Sequence, residues 1–179
     1  TITDDTVIGA YAFSNADELL TVTITHTVTK LGEHAFAYNN KLTTVTFDET
    51  NGTCGITTIK TGTFRDSVSL VMPTLPASVT VIEDYVFYNC VANPSFLVQD
   101  TVTEIGKYTF SFPNENTVSK LTTVEFEEGI QLPVISEGLF KNATVLVMHE
   151  LPLSVKRIEA MAFENCNAEE FDYFTVSNE

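Results

Sequence analysis

The stretch Ile8-Gly9-Ala10-Tyr11-Ala12-Phe13 places an aliphatic residue five positions before a phenylalanine, and that spacing returns along the whole chain. The pairs are Ile8/Phe13, Leu31/Phe36, Ile59/Phe64, Ile82/Phe87, Ile105/Phe110, Ile135/Phe140 and Ile158/Phe163. Their aliphatic members step by 23, 28, 23, 23, 30 and 23 residues, so four of the six steps are identical. Seven of the 13 phenylalanines share one register. Self-similarity at a fixed period of this size marks a stacked-repeat architecture.

The rest of each unit repeats around that pair. A leucine follows eleven residues after the aliphatic anchor (Leu19, Leu42, Leu70, Leu146), and then comes an apolar pair in strand alternation: Val22/Ile24, Val45/Phe47, Phe96/Val98 or Val124/Phe126. Alternation of β-branched and aromatic residues predicts a short strand with one face inward. A last apolar residue stands three before the next anchor: Val28, Ile56, Val79, Val102, Leu132 and Val155. One such coil is too small to bury its own apolar stripe, so neighbours must stack to remove it from water. Each buried phenylalanine contributes about 1.5–3 kcal/mol, which makes Phe13, Phe36, Phe64, Phe87, Phe110, Phe140 and Phe163 the expected structural spine. Asn15, Asp66, Asn89, Asn142 and Asn165 stand two residues after a phenylalanine, where such side chains close tight turns. The preceding Ala35-Phe36 and Ala162-Phe163 stretches predict one brief helical or 3₁₀ turn per coil.

Ile8-Gly9-Ala10-Tyr11-Ala12-Phe13, Phe87-Tyr88-Asn89-Cys90 and Leu75-Pro76-Ala77-Ser78-Val79 together resemble the BspA-like class of leucine-rich repeats, over the whole chain. The resemblance implies an α/β leucine-rich-repeat solenoid, a right-handed, β-rich, horseshoe-like coil stack of about seven repeats of 23 residues with short helical turns. Residues 1–179 are expected to be a single domain, a fragment of a longer repeat protein. It further implies a secreted or cell-surface protein linked to adhesion and host-protein binding. Pro73 and His149 depart from the pattern at the second strand position, and cysteine fills only two of the seven turn sites.

Charge narrows the partners. With 9 Lys+Arg against 24 Asp+Glu, the formal net charge is −15. That field repels phosphate backbones and anionic headgroups, so nucleic acid is not an expected partner and a basic one is favoured; the resemblance implies that the partner is an extracellular or host protein. No apolar run approaches the roughly 20 residues that span a bilayer, so no membrane insertion is expected. The opening Thr1-Ile2-Thr3-Asp4-Asp5 does not read as a signal peptide. Both ends stop without an obvious polar cap, so end-to-end self-association is expected as well.

Three cysteines make an odd count. Cys90 and Cys166 hold one turn position three coils apart, roughly 14 Å at about 4.8 Å per coil, beyond the ~7 Å Cα limit for a disulfide. Free thiols acting as small buried hydrophobes are expected there, and an exposed Cys54 in the inserted loop.

Residues 13 and 15 after each anchor are expected to point outward from the strand. They give Thr21/Thr23, Thr44/Thr46, Met72/Thr74, Ser95/Leu97, Thr123/Glu125, Met148/Glu150 and Phe171/Tyr173. Extended sheet faces of solenoids are their usual binding surfaces. Candidate binding residues are therefore Met72, Thr74, Leu97, Glu125, Met148, Glu150, Phe171 and Tyr173. The insertions at Asp48–Gly55 and Glu127–Gln131 add Asp48, Glu49, Glu127 and Glu128, which with Asp100 would form one acidic edge.

No catalytic constellation is legible: His26, His34 and His149 are scattered, and no GxSxG, HExxH or phosphate loop occurs. Neither a cofactor nor a metal is expected. The alternatives to an adhesion module are a structural spacer in a larger surface protein and a threonine-rich glycan- or ice-binding sheet, prompted by Thr21-x-Thr23-x-Thr25.

Overall fold

The computed structural model describes residues 6–147 and 150–166. The chain winds into coils that contribute short strands of two kinds. One runs into the aliphatic anchor: β1 (Thr6–Ile8), β3 (Val28–Leu31), β5 (Thr58–Ile59), β6 (Val81–Ile82), β8 (Glu104–Ile105), β10 (Val134–Ile135) and β11 (Arg157–Ile158). The other follows the repeat leucine: β2 (Thr21–Thr25), β4 (Thr44–Asp48), β7 (Ser95–Val98) and β9 (Thr123–Phe126). All pairing is parallel, and the anchors fall in register: Ile8 on Leu31, Ile59 on Ile82, Ile82 on Ile105, Ile135 on Ile158. The anchor strand exists because the anchor and the residue three before it are both buried, as with Val28/Leu31 and Val79/Ile82, while the residues between them face out.

The phenylalanines form one internal column. Successive rings from Phe13 to Phe163 stack at centroid separations of 5.3, 5.9, 5.6, 5.9, 5.8 and 5.3 Å. Phe36, Phe64, Phe87, Phe110 and Phe140 are fully buried, whereas Phe13, on the first coil, is 45% exposed.

Among the described residues no helix forms on the outer side, where brief helical or 3₁₀ turns were expected. Each coil instead carries a left-handed residue two before its phenylalanine: Tyr11, His34, Gly62, Tyr85, Tyr108, Gly138 and Met161, with φ between 53° and 62°. A left-handed residue interrupts any run of right-handed helix, and the result is a tight turn such as Gly32–Ala35, closed by an Ala35 N–H to Gly32 C=O bond of 3.3 Å. The same left-handed residues send their N–H groups along the stack: Tyr11 to Glu33, His34 to Thr61, Gly62 to Asp84, Tyr85 to Lys107 and Tyr108 to Glu137. The expected turn residues Asn15, Asp66, Asn89, Asn142 and Asn165 are also left-handed, at 57–63°.

Two prolines divide the sheets. Thr80 and Thr103 each donate their N–H to the equivalent carbonyl of the coil before at 2.9 Å. Pro133 holds that position in the next coil, has no N–H, and separates the β5–β6–β8 sheet from β10–β11. Pro73 does the same beside β4: Val71 makes a single bridge to Thr44, and the Met72 N–H turns to the Asn93 side chain at 3.2 Å.

The expected outward place of Met72 is thereby corrected. Leucine and strand are separated by one residue in the first two coils (Leu19-Leu20-Thr21, Leu42-Thr43-Thr44) but by none at Leu70-Val71. A one-residue slip exchanges the two faces of a strand. Val71 therefore points out and Met72 in, at 7% exposure.

Candidate binding face

The outward side of the leucine-following strands has two halves of different character, one on β2–β4 and one on β7–β9. Thr21 lies beside Thr44 and Thr23 beside Thr46, all exposed, so the first half is a threonine lattice. Val71 then breaks it. In the second half Ser95 pairs with Thr123 and Leu97 with Glu125, and Leu97 keeps 49% of its surface in water while Phe96 and Val98 beside it are buried. Beyond β9 the chain returns alongside at Val147, whose N–H donates to the Thr122 carbonyl at 2.8 Å.

Between β9, the Glu127–Ile130 turn and the 150–154 segment lies a groove of about 700 Å³. Leu97, Val147, Leu151 and the fully exposed Leu153 supply apolar surface to it. Glu125, Glu127, Glu128 and Glu150 supply carboxylates, and among the described residues no lysine, arginine or histidine lines it. Glu127 is held in place by accepting the Asp100 N–H at 3.0 Å. The structure thus brings Leu97, Glu125, Glu127, Glu128 and Glu150 to one place. Thr74 is exposed but lies outside the groove, past Pro73. Met148, Phe171 and Tyr173, together with His149, lie outside the described residues.

Four lysines are engaged elsewhere. Lys41–Glu18 (2.7 Å), Lys60–Glu83 (2.6 Å), Lys107–Glu137 (2.9 Å) and Lys141–Glu164 (3.1 Å) are ion pairs between consecutive coils. Partial burial pushes the Glu83 carboxyl up, but the Lys60 ammonium together with the Thr61 N–H and hydroxyl outweighs this and holds it below the usual carboxylate range. Lys107 and the Tyr108 hydroxyl do the same to Glu137.

Asp48 and Glu49, assigned to the acidic edge by the sequence, are committed to their own loop. Asp48 accepts the Thr50 N–H and hydroxyl at 3.0 and 2.7 Å, which holds its carboxyl below the ordinary value. Glu49 accepts the Cys54 N–H at 2.8 Å. That bond folds the loop back and puts Cys54 in the core, 2% exposed, where burial raises its thiol; the expected exposed cysteine is not found. Among the described residues no group of three or more His, Cys, Asp or Glu side chains could hold a metal ion.

The BspA type leucine-rich repeat region matches this sequence in six copies, over residues 6–120 and 57–177. The chain belongs to the BspA-type leucine-rich repeat family. Among solved structures it resembles a leucine-rich repeat protein of T. pallidum, with a TM-score of 0.76 and 25% identity, over 90% of this chain and 70% of that one. A leucine-rich cell surface protein of Faecalibacterium prausnitzii superposes with a TM-score of 0.71 at 24% identity, over 92% of this chain but only 43% of that protein's length. A leucine-rich repeat protein of Eubacterium ventriosum shares the fold at a TM-score of 0.54 and 16% identity, over 90% of this chain and 56% of that one. No curated protein sequence matches significantly.

In this BspA-type chain the turn position three after Phe36, Phe64, Phe87 and Phe163 has a role the sequence did not reveal. Asn39, Ser67, Cys90 and Cys166 donate from amide, hydroxyl or thiol to the phenylalanine carbonyl of the preceding coil: Phe13, Phe36, Phe64 and Phe140, at 2.8, 3.0, 3.2 and 3.0 Å. Cys90 and Cys166 are free, as expected, and act as donors rather than only as apolar filler. Among the described residues no helix is long and apolar enough to cross a membrane.

Proposed function

We propose that this BspA-type chain is a non-catalytic protein-binding module, displayed at a cell surface or secreted, that contributes to adhesion by capturing an extracellular or host protein. The observation that carries this reading is Leu97, half exposed on β7 beside Glu125 of β9 and an open groove. A large apolar side chain held in water on a rigid strand suits a contact surface. The stacked phenylalanines hold that surface without the partner's help, so little ordering is lost on binding. The F. prausnitzii relative is described as a cell surface protein, which supports the surface assignment.

Immobilised chain should capture one or more purified extracellular-matrix proteins, and a Val71→Lys/Leu97→Lys variant of unchanged melting temperature should lose that capture. Retained capture by the variant contradicts the sheet face as the binding surface. No capture by the wild-type chain across a matrix panel contradicts adhesion and favours a structural spacer.

A further inference from the structure

We infer that the groove beside β9 receives an extended basic segment of the partner protein, with an aliphatic side chain seated against Leu97 and Leu153 and lysine or arginine side chains against Glu125, Glu128 and Glu150. This rests on the protein-binding reading above and names the chemistry of the segment bound.

The groove combines two features that each exclude a different ligand. Among the described residues its carboxylates come without a lining cation, so an anionic ligand would meet repulsion there. Among the described residues they do not form a metal-holding group either, so they act as separate charges spread along the groove. A bare polycation would satisfy them but would leave the surface of Leu97 and Leu153 in water. An extended chain that alternates apolar and basic side chains meets both needs, because its successive side chains point to opposite sides about 3.3 Å apart. The volume of about 700 Å³ lies within the range of specific ligand sites. Glu127, tied to the backbone of Asp100, fixes the acidic wall in advance.

The test is fluorescence anisotropy with fluorescein-labelled KLKLK, KSKSK and ELELE peptides, at low and high salt. The wild-type chain should bind KLKLK at least tenfold tighter than KSKSK, and ELELE not at all. Glu125→Gln/Glu128→Gln/Glu150→Gln should weaken KLKLK at least tenfold and flatten its salt dependence, since each lost charge removes part of the screened attraction. Leu97→Ser should weaken it several-fold. A control variant with the same charge change on other coils, Asp17→Asn/Glu33→Gln/Glu115→Gln, should alter binding less than twofold, with melting temperatures establishing that all variants fold. Equal binding of KLKLK and KSKSK, equal loss in the control variant, or displacement of KLKLK by a neutral oligosaccharide overturns the inference. Where a matrix protein is captured equally by the wild type and the groove variant, the binding-module reading stands and the groove assignment falls; where neither peptide nor protein is captured, both fall.

Discussion

The Cys90 thiol lies 3.2 Å from the carbonyl oxygen of Phe64, a residue 26 positions earlier and one coil below. Ser67 makes the equivalent bond to Phe36, and Asn39 to Phe13. Three different side chains thus satisfy one recurrent buried carbonyl. A hydrogen bond of this kind contributes about 0.5–1.5 kcal/mol, and at these three coils amide, hydroxyl and thiol all supply it, so sulfur itself is not required.

Cys90→Ser should therefore be tolerated better than Cys90→Val. Valine fills the site but removes the thiol donor and leaves the Phe64 carbonyl only the Ser67 N–H at 3.2 Å, and urea denaturation should show it less stable by about 0.5–1.5 kcal/mol. The thiols should also resist Ellman's reagent in the native protein. Burial raises the thiols of Cys54 and Cys90, and pushes Cys166 up to about 12, so little thiolate forms at neutral pH. Cys166, half-buried where the other two are buried, should react first, and full reaction should require unfolding.

The ring column predicts a gradient of mutational cost. Phe87→Ala, within the stack and fully buried, should cost about 3–5 kcal/mol. Phe13→Ala, at the exposed first coil, should cost about 1 kcal/mol, roughly half of a full side-chain burial. Equal losses in chemical denaturation would contradict the packing described.

Gly138 and Gly129 both have positive φ, 61° and 88°, but different surroundings. A side chain at Gly138 would run into the Tyr108 ring, whereas Gly129 faces open space. Gly138→Ala should therefore destabilise by at least about 1 kcal/mol more than Gly129→Ala, beyond the 1–2 kcal/mol of left-handed backbone cost at either site.

Acid should weaken the fold through particular carboxylates. Asp48, Glu83 and Glu137 are all held below their ordinary values, so the folded state binds protons less readily than the unfolded chain. Their stabilisation is complete above the unfolded carboxylate range of about 4 and is lost as pH falls through their lower folded values. Melting temperature should drop below about pH 4, and Glu83→Gln should flatten that drop.

The phenylalanine column and the asparagine turns were legible because they repeat by residue type at one spacing. The carbonyl-capping donors were not, because amide, hydroxyl and thiol share the task and their partners lie 26 or 31 residues away. The brief helix expected from Ala35-Phe36 gave way to a left-handed His34 whose N–H serves the next coil; local propensity lost to the inter-coil ladder. Leu97 and Glu125 were placed outward correctly by strand alternation, but Met72 was not, since one missing residue before Val71 reverses the strand faces. The groove itself depends on the path of residues 150–154, which no periodicity encodes.

The most direct test of the account is a ¹⁵N-resolved titration of the chain with a captured matrix protein fragment or the KLKLK peptide. Amide shifts should concentrate at Leu97, Thr123–Gln131 and Glu150–Ser154. Shifts centred instead on the outer tyrosine turns at Tyr11, Tyr85 and Tyr108, or spread evenly over every acidic coil, would contradict it.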